Sequence, residues 1–209
     1  MFEDRLQAGK KLASLLEKYK DSKNALVLAL PRGGVVLGAE ISKHLNLPLD
    51  IIMVRKLGHK NYPEYAIGAL AENEPAIYNQ REALLAGEVW LKEEEEKARK
   101  LMNDRIQLYF GDRPKRKKIE NKTAILVDDG IATGFTMQVA ISATKNNSAK
   151  KIVVAIPVAP TDSISRLKQS VDEVVVADDP KNYLGAVGSH YYRFDQVNDD
   201  EVKRLLKNS

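Results

Sequence analysis

The 209-residue chain contains no cysteine. Disulfides, thiol nucleophiles and zinc–thiolate sites are therefore excluded. It has only three histidines, His44, His59 and His190, and their scatter gives no metal-ligand spacing. No apolar run approaches the ~20 residues of a membrane-spanning helix. The opening MFEDRLQAGKKL is charged and amphipathic, without the apolar centre of a secretory signal, so a cytoplasmic location is the expectation. Neither G-x-G-x-x-G nor a Walker lysine motif occurs, which weakens the case for an unrelated doubly wound nucleotide binder. Repeats and low-complexity linkers are missing too. The length suits one domain with a real core. A net charge of +4 suits an anionic small substrate as well as it suits nucleic acid.

What the sequence does contain is concentrated in Thr123–Thr136, TAILVDDGIATGFT. Thr123 leads into the short buried run Ala124, Ile125, Leu126, Val127. Two adjacent carboxylates, Asp128 and Asp129, close that run. Gly130-Ile131-Ala132-Thr133-Gly134 follows, and then a helical pattern. Backbone N–H groups converging at a helix N-terminus bind a phosphate dianion. Thr133 and Thr136 add hydroxyl donors there. The carboxylates, one step back, are suited to accepting hydrogen bonds from hydroxyls or to holding a hydrated cation. A phosphate with a diol behind it is a ribose 5-phosphate.

This stretch resembles the 5-phosphoribosyl-1-pyrophosphate (PRPP) motif of type I phosphoribosyltransferases: an apolar strand, two acids, a short loop ending Thr-Gly, then a small hydroxyl residue. Two departures stand out. Gly130 occupies a position where many members carry a branched aliphatic. Ala132 occupies one where some purine-specific members carry an aspartate that moves a proton on the base.

The rest of the chain reads as alternating strands and helices. Residues 2–20 form an amphipathic helix with Phe2, Leu6, Leu12, Leu15, Leu16 and Tyr19 near one face. Residues 25–30 form a strand buried on both faces, ending at Pro31-Arg32-Gly33-Gly34, and a helix runs on to Leu45. Alone, PRGG is equally a plain turn. A second core strand covers 48–54 and runs into Arg55-Lys56 and a polar loop to Tyr65. Taken alone, that loop is also compatible with a solvated basic segment. Residues 66–72 and 76–78 are short strands at the sheet edge, turning at 73–75. A helix spans 88–110, with Trp90, Leu91, Ala98, Leu101, Met102 and Leu108 toward the core. Its Glu and Lys/Arg residues pair at i,i+4 on a solvated face. Lys115–Lys118 is a basic run without interleaved aromatics, better suited to solvent than to nucleic acid. Helices at 135–147 and 163–170 alternate with strands at 151–158 and 171–177. Asn198 or Asp199 caps a last helix ending near Lys207.

Such alternation predicts an α/β fold with a mostly parallel, doubly wound sheet. The strand at 25–30 should lie beside that at 124–128, with the site at the switch point between them. The resemblance implies one phosphoribosyltransferase domain over 1–209, with a core at about 23–178. A small hood from about 1–20 and 179–209 would use Tyr183, Tyr191, Tyr192 and Phe194 either to stack a base or to pack the tail.

The resemblance further implies an enzyme that transfers the phosphoribosyl group from PRPP to a nitrogenous base and releases pyrophosphate. Gly130, Ile131, Ala132, Thr133, Gly134 and Thr136 would hold the 5-phosphate. Pro31, Arg32, Gly33, Gly34, Arg55 and Lys56 would meet pyrophosphate. Asp128 and Asp129 would hold the ribose hydroxyls and, through water or those hydroxyls, Mg2+. Asp128, Asp129, Arg55, Lys56 and Glu64 are the catalytic candidates, Glu64 lying in a loop loosely similar to the Tyr-rich loop of adenine-type members. The expected partners are PRPP and a small base, without membrane or nucleic acid, and a homodimer is open. The alternative is a regulator that binds PRPP without turnover.

Overall fold

The computed structural model describes residues 1–63, 65–72, 74–111 and 117–207. Strand β1 (Ala25–Ala29) is buried along its whole length. Successive strand side chains point to opposite faces: Val27 and Ala29 enter one apolar cluster, Leu26 and Leu28 the other. Strand β6 (Thr123–Val127) divides likewise, with Ile125 and Val127 on the first side and Ala124 and Leu126 on the second.

These two strands anchor a five-stranded sheet of order β2-β1-β6-β7-β8, with β2 at Leu49–Ile51, β7 at Lys151–Ile156 and β8 at Glu173–Val176. Every pairing in it is parallel. Helices α1 (Arg5–Leu15), α2 (Gly33–Leu45), α4 (Glu88–Phe110) and α7 (Asp199–Lys207) contribute to the first cluster. Helices α5 (Phe135–Asn146) and α6 (Thr161–Lys168) cover the other face. The fold is the doubly wound α/β sheet expected, and β1 pairs with β6 over Ala25↔Thr123 to Ala29↔Val127.

Several boundaries differ from the expected ones. The expected strand at 48–54 is split. Ile52 still donates to the Ala29 carbonyl, but Glu72 N–H takes the Met53 carbonyl. The chain then leaves the main sheet as β3 (Val54–Gly58), pairing antiparallel with β4 (Ala66–Ala71). β4 pairs in turn with β5 (Ile77–Tyr78). The short strands thus form their own three-stranded sheet, and Arg55 and Lys56 sit in a strand. The open loop expected after them is a hairpin tip: His59 N–H donates to the Tyr65 carbonyl at 2.8 Å, and His59 stacks on Tyr62 at 5.5 Å.

A short helix α3 (Gln80–Ala86), not expected, is capped by Asn79 Oδ1. In α4 the buried stripe is Ala98, Met102 and Tyr109, and Leu101 and Leu108 are exposed. In α1, Leu6 and Leu15 are exposed, and the buried face is Ala8, Gly9, Leu12 and Ala13. Asn198 caps α7, accepting from Glu201 N–H at 2.8 Å. No helix among the described residues is long and apolar enough to cross a membrane.

The two chain ends pair with each other. Phe2 N–H donates to the His190 carbonyl, Tyr192 N–H to that of Phe2, and Arg193 N–H to that of Glu3. At the start of β8, the turn after α1 is fastened by charge. Glu173 Oε1 meets Lys18 at 2.7 Å, and its Oε2 accepts from Tyr19 at 2.7 Å and Lys151 at 3.1 Å. Burial alone would push this carboxyl up, but the hydrogen bonds from Lys18, Tyr19 and Lys151 outweigh it and hold it at about 2.

A depressed carboxyl contributes stability above its unfolded value and loses it as pH falls through the folded one. Glu173→Gln should therefore lower stability at neutral pH by about 1–3 kcal/mol. The difference should shrink between the ordinary 4.5 and about 2. Thermal melts of both proteins across that window check it, and a constant gap would remove the ion cluster as the cause.

Candidate functional site

Because β1 and β6 end level with each other, their following residues leave the sheet side by side. Leu30 N–H donates to the Val127 carbonyl at 2.8 Å and is the last such link. Beyond it, α2 begins against the acidic pair. A Cβ on Gly33 would overlap the Asp129 carboxylate, and one on Gly34 would come within 2.6 Å of the Val127 carbonyl. The Gly-Gly pair is thus a packing requirement, because only a residue without a side chain lets backbone and carboxylate approach so closely.

The two acids have different surroundings. Asp128 Oδ1 accepts the Asp129 N–H at 2.9 Å. Its carboxyl is held well above the ordinary range, first by burial and then by the charge of Asp129, with Lys56 pulling the other way. Asp129 is paired: its Oδ2 meets Arg5 Nε at 2.8 Å, and its backbone carbonyl accepts from the Tyr191 hydroxyl at 2.6 Å.

Between the acids and α5 the loop is set by one inward residue. Ile131 is buried and donates its N–H to the Val158 carbonyl at 2.9 Å, while Ala132 and Thr133 are exposed. No side chain caps α5. The first-turn N–H groups of a helix have no intrahelical partner, so they face the loop's open side. Gly130 is also a close approach: a Cβ there would stand 2.5 Å from a Val187 methyl and 3.0 Å from one of Val158.

These residues enclose a cleft of about 370 Å³, near the lower end of the range of roughly 300–1,000 Å³ for small-ligand sites. Of the expected site residues, Pro31, Arg32, Gly33, Lys56, Asp128 and Asp129 line it, as do the whole loop Gly130–Gly134 and Thr136. Two do not. Gly34 is spent on packing against β6. Arg55 lies between Val54 and Lys56, which both line the cleft, so alternation along β3 turns it to the other face. Glu64 lies outside the described residues, as do Lys115 and Arg116 of the basic run.

Phe194, expected in the hood, lines the cleft as well, and the sequence reading missed Arg5, Leu30, Val54 and Val187, which complete the lining. Arg5 comes from the start of α1, and its Nη1 donates to the Asp195 carbonyl at 2.7 Å. Its guanidinium lies 3.8 Å from the Phe194 ring centroid. Phe194 also stacks on Tyr191 at 4.9 Å, which in turn meets Phe2 at 5.7 Å. No local pattern announces Arg5 and Val187, which act from the two chain ends, while Leu30 and Val54 sit at or beside the ends of strands whose neighbours were already candidates.

No group of three or more acidic or histidine side chains able to hold a metal is found among the described residues. The acidic pair does fit a hard cation that arrives with phosphate oxygens and keeps most of its water.

A family model described as "Phosphoribosyl transferase domain" matches residues 1–192. Two Mycobacterium tuberculosis proteins, one from strain CDC 1551 and one from H37Rv, both provisionally named phosphoribosyl transferases, are each 36% identical over 99% of the chain. The chain spans about half the length of these curated relatives, 46% of each. The crystal structure of the protein TT1426 from Thermus thermophilus matches with a TM-score of 0.81 and 35% identity, covering 100% of this chain and 98% of that one.

The raised carboxyl of Asp128 gives a directional test. A carboxyl whose folded value lies above its unfolded one loses stability as pH rises between the two. Asp128→Asn keeps an oxygen for the Asp129 N–H and removes the charge. It should melt higher than the parent at slightly alkaline pH, and the advantage should vanish below the ordinary carboxyl range of about 4. An Asn variant less stable at every pH would show that Asp128 is not under strain.

Proposed function

The chain belongs to the phosphoribosyl transferase domain family, and from that premise we propose that it binds PRPP in this cleft and transfers the 5-phosphoribosyl group to a nitrogenous base, releasing pyrophosphate. The observation that carries the proposal is convergence: the acidic pair, the glycine loop at an uncapped helix start, and the cations Arg32 and Lys56 all line one cleft. The residues involved belong to one functional unit, with the paired chain ends forming a hood over the cleft.

The N–H groups of Gly130–Gly134, with the Thr133 and Thr136 hydroxyls, receive the 5-phosphate at the positive end of α5. Asp128 and Asp129 accept hydrogen bonds from the ribose hydroxyls. The acceptor nitrogen attacks C1 and gives up a proton as the bond from C1 to the pyrophosphate oxygen breaks. Positive charge grows at C1 during this exchange, and the nearby carboxylates favour it. Negative charge grows on the leaving pyrophosphate, where Arg32 and Lys56 favour it. Arg55, facing away, has no part in this step. A magnesium ion, when bound with the substrate, would supply further neutralisation of the leaving group and would be held by Asp128 and Asp129 through water or the ribose hydroxyls.

The acceptor side lacks the loop acid of some purine-specific relatives, because position 132 is alanine. The proton of the acceptor must therefore leave by another route than this loop.

Thr133→Val deletes one hydroxyl donor to the 5-phosphate. A lost hydrogen bond to a charged group costs about 1.5–3 kcal/mol, so ribose 5-phosphate should bind roughly ten- to a hundredfold more weakly. Unchanged affinity would put the phosphate elsewhere. Pyrophosphate release from PRPP and magnesium across a panel of bases tests the reaction itself. PRPP binding without turnover of any base would give the site to a sensor instead.

A further inference from the structure

Asp129 is where the two chain ends meet the glycine loop, and it is held at three points. Its N–H donates to Asp128 Oδ1 at 2.9 Å. Its Oδ2 accepts from Arg5 Nε at 2.8 Å. Its backbone carbonyl accepts from the Tyr191 hydroxyl at 2.6 Å. That leaves Oδ1, which takes no hydrogen bond among the described residues. The one buried side-chain nitrogen or oxygen left without a partner among those residues is the Tyr183 hydroxyl, so Oδ1 of Asp129 is reached by solvent. Asp129 lines the cleft, and Oδ1 is the acceptor it has left to offer a ligand.

The chain around Asp129 does not fix this arrangement by itself. Strand β6 has ended at Val127. Gly130 follows, with φ at +154°, a backbone conformation that glycine adopts freely and other residues rarely. The next backbone anchor is the Ile131 N–H on the Val158 carbonyl at 2.9 Å. Between the strand end and that anchor, the Tyr191 hydroxyl grips the backbone from a distant part of the chain. Tyr191 is itself firmly placed. It is only 5% exposed, and its ring packs on Phe2 and Phe194 with centroids 5.7 and 4.9 Å away. Its N–H donates to the Gly188 carbonyl at 3.1 Å, and it bridges Phe2 where the chain ends pair. A side chain locked by its own packing is what precise positioning of another group requires. Burial first, and the charge of Asp129 next, push the phenol above its ordinary range, so the hydroxyl stays protonated and remains a donor.

We infer that Tyr191 is a positioning residue for the acidic pair: by holding the Asp129 carbonyl it sets the direction of Oδ1, which accepts a hydrogen bond from a hydroxyl of the ribose ring. The inference rests on the transferase reading for the identity of the ligand. Tyr191 is not among the residues that line the cleft, so it acts through Asp129 and not on the substrate.

A matched pair of probes on the whole chain isolates the effect. The first, 1,4-anhydroribitol 5-phosphate, carries the ribose ring, both ring hydroxyls and the phosphate. The second, tetrahydrofurfuryl phosphate, carries the same ring and phosphate without the hydroxyls. In calorimetric titrations the unmodified protein should bind the first about tenfold or more tightly, because hydrogen bonds to a charged acceptor are the strong ones. Tyr191→Phe keeps the ring packing and deletes the donor. In it that ratio should fall to about threefold or less while tetrahydrofurfuryl phosphate binds as before, since small misplacements of a binding group are costly. Returning a donor to the ring, with 4-aminophenylalanine at position 191, should restore most of the ratio. A purely structural role would lower the melting temperature of Tyr191→Phe and leave the ratio at its parental value, and that result overturns the inference. An equal loss of affinity for both probes overturns it too. A second readout needs no variant: the Tyr191 hydroxyl proton should shift in NMR spectra when the hydroxylated probe binds and not when the other does, and the absence of that difference counts against the inference. Unmodified protein that binds neither probe, or both alike, removes the ribose site of the transferase reading together with the inference. A parental ratio in Tyr191→Phe removes the inference alone, so the two failures are distinguishable.

Discussion

The in-register pairing of β1 with β6 is the constraint from which the cleft follows. Ala29 stands level with Val127, and the Leu30 N–H extends the ladder one step beyond them. The winding then reverses: α2 packs on one face and α5 on the other. The gap between the two strand ends is a topological switch point, where ligands bind in such sheets. The PRGG loop and the acidic loop must share that gap. Gly33 and Gly34 are what sharing it requires, since a side chain at either would meet Asp129 or the β6 backbone. A glycine pair that is ambiguous in isolation becomes necessary once its neighbour strand is known.

Sharing the gap has an electrostatic consequence. Adjacent carboxylates at a strand end repel each other, and burial adds to the cost of ionising Asp128. The Arg5–Asp129 ion pair offsets part of this. Both side chains are mostly out of water, 12% and 17% exposed. In such a pair, losing one partner leaves the other charge uncompensated, which costs more than the pair itself gains. Helix α1 is thereby tied to the site by charge as well as by its apolar face. Since Phe2 and Glu3 hydrogen-bond to His190, Tyr192 and Arg193, the position of Arg5 depends on the tail. The chain ends and the acidic pair thus form one mechanical unit.

The elements legible in the sequence were those whose evidence is contiguous. The apolar run at 25–30 and the stretch 123–136 each carry strand, loop and helix start within a few residues. β3 was not legible as a strand, because its cations Arg55 and Lys56 interrupt the apolar pattern that marks a core strand. The buried face of the first segment was read correctly at Phe2, Leu12, Leu16 and Tyr19 but misjudged at Leu6 and Leu15, because leucines were weighted above small residues. Ala8, Gly9 and Ala13 are what let α1 lie against α2, where a Cβ on Gly9 would come within 3.1 Å of the Leu37 Cα. Leu6 and Leu15 point outward instead. In the site, Arg5 was invisible for a related reason: its partner Asp129 is 124 positions away, and no spacing rule reaches that far.

Gly130 shows how far the motif reaches into the cleft. Gly130 contributes no side chain to the wall at this point, and the volume beside it is filled by Val187, whose methyl would stand 2.5 Å from a Cβ on residue 130. The apolar wall is still present, but it comes from the tail, and Val187 lines the cleft beside the loop. That part of the wall is therefore set by the segment that carries Tyr191 and Phe194 and not by the loop itself. Residues 124–136 thus supply one wall of the cleft, and residues 5, 187 and 194 supply another. This division explains why a contiguous motif speaks clearly about one half of the cleft and is silent about the other. The first half is built on a single strand–loop–helix turn, and the second is assembled from both ends of the chain.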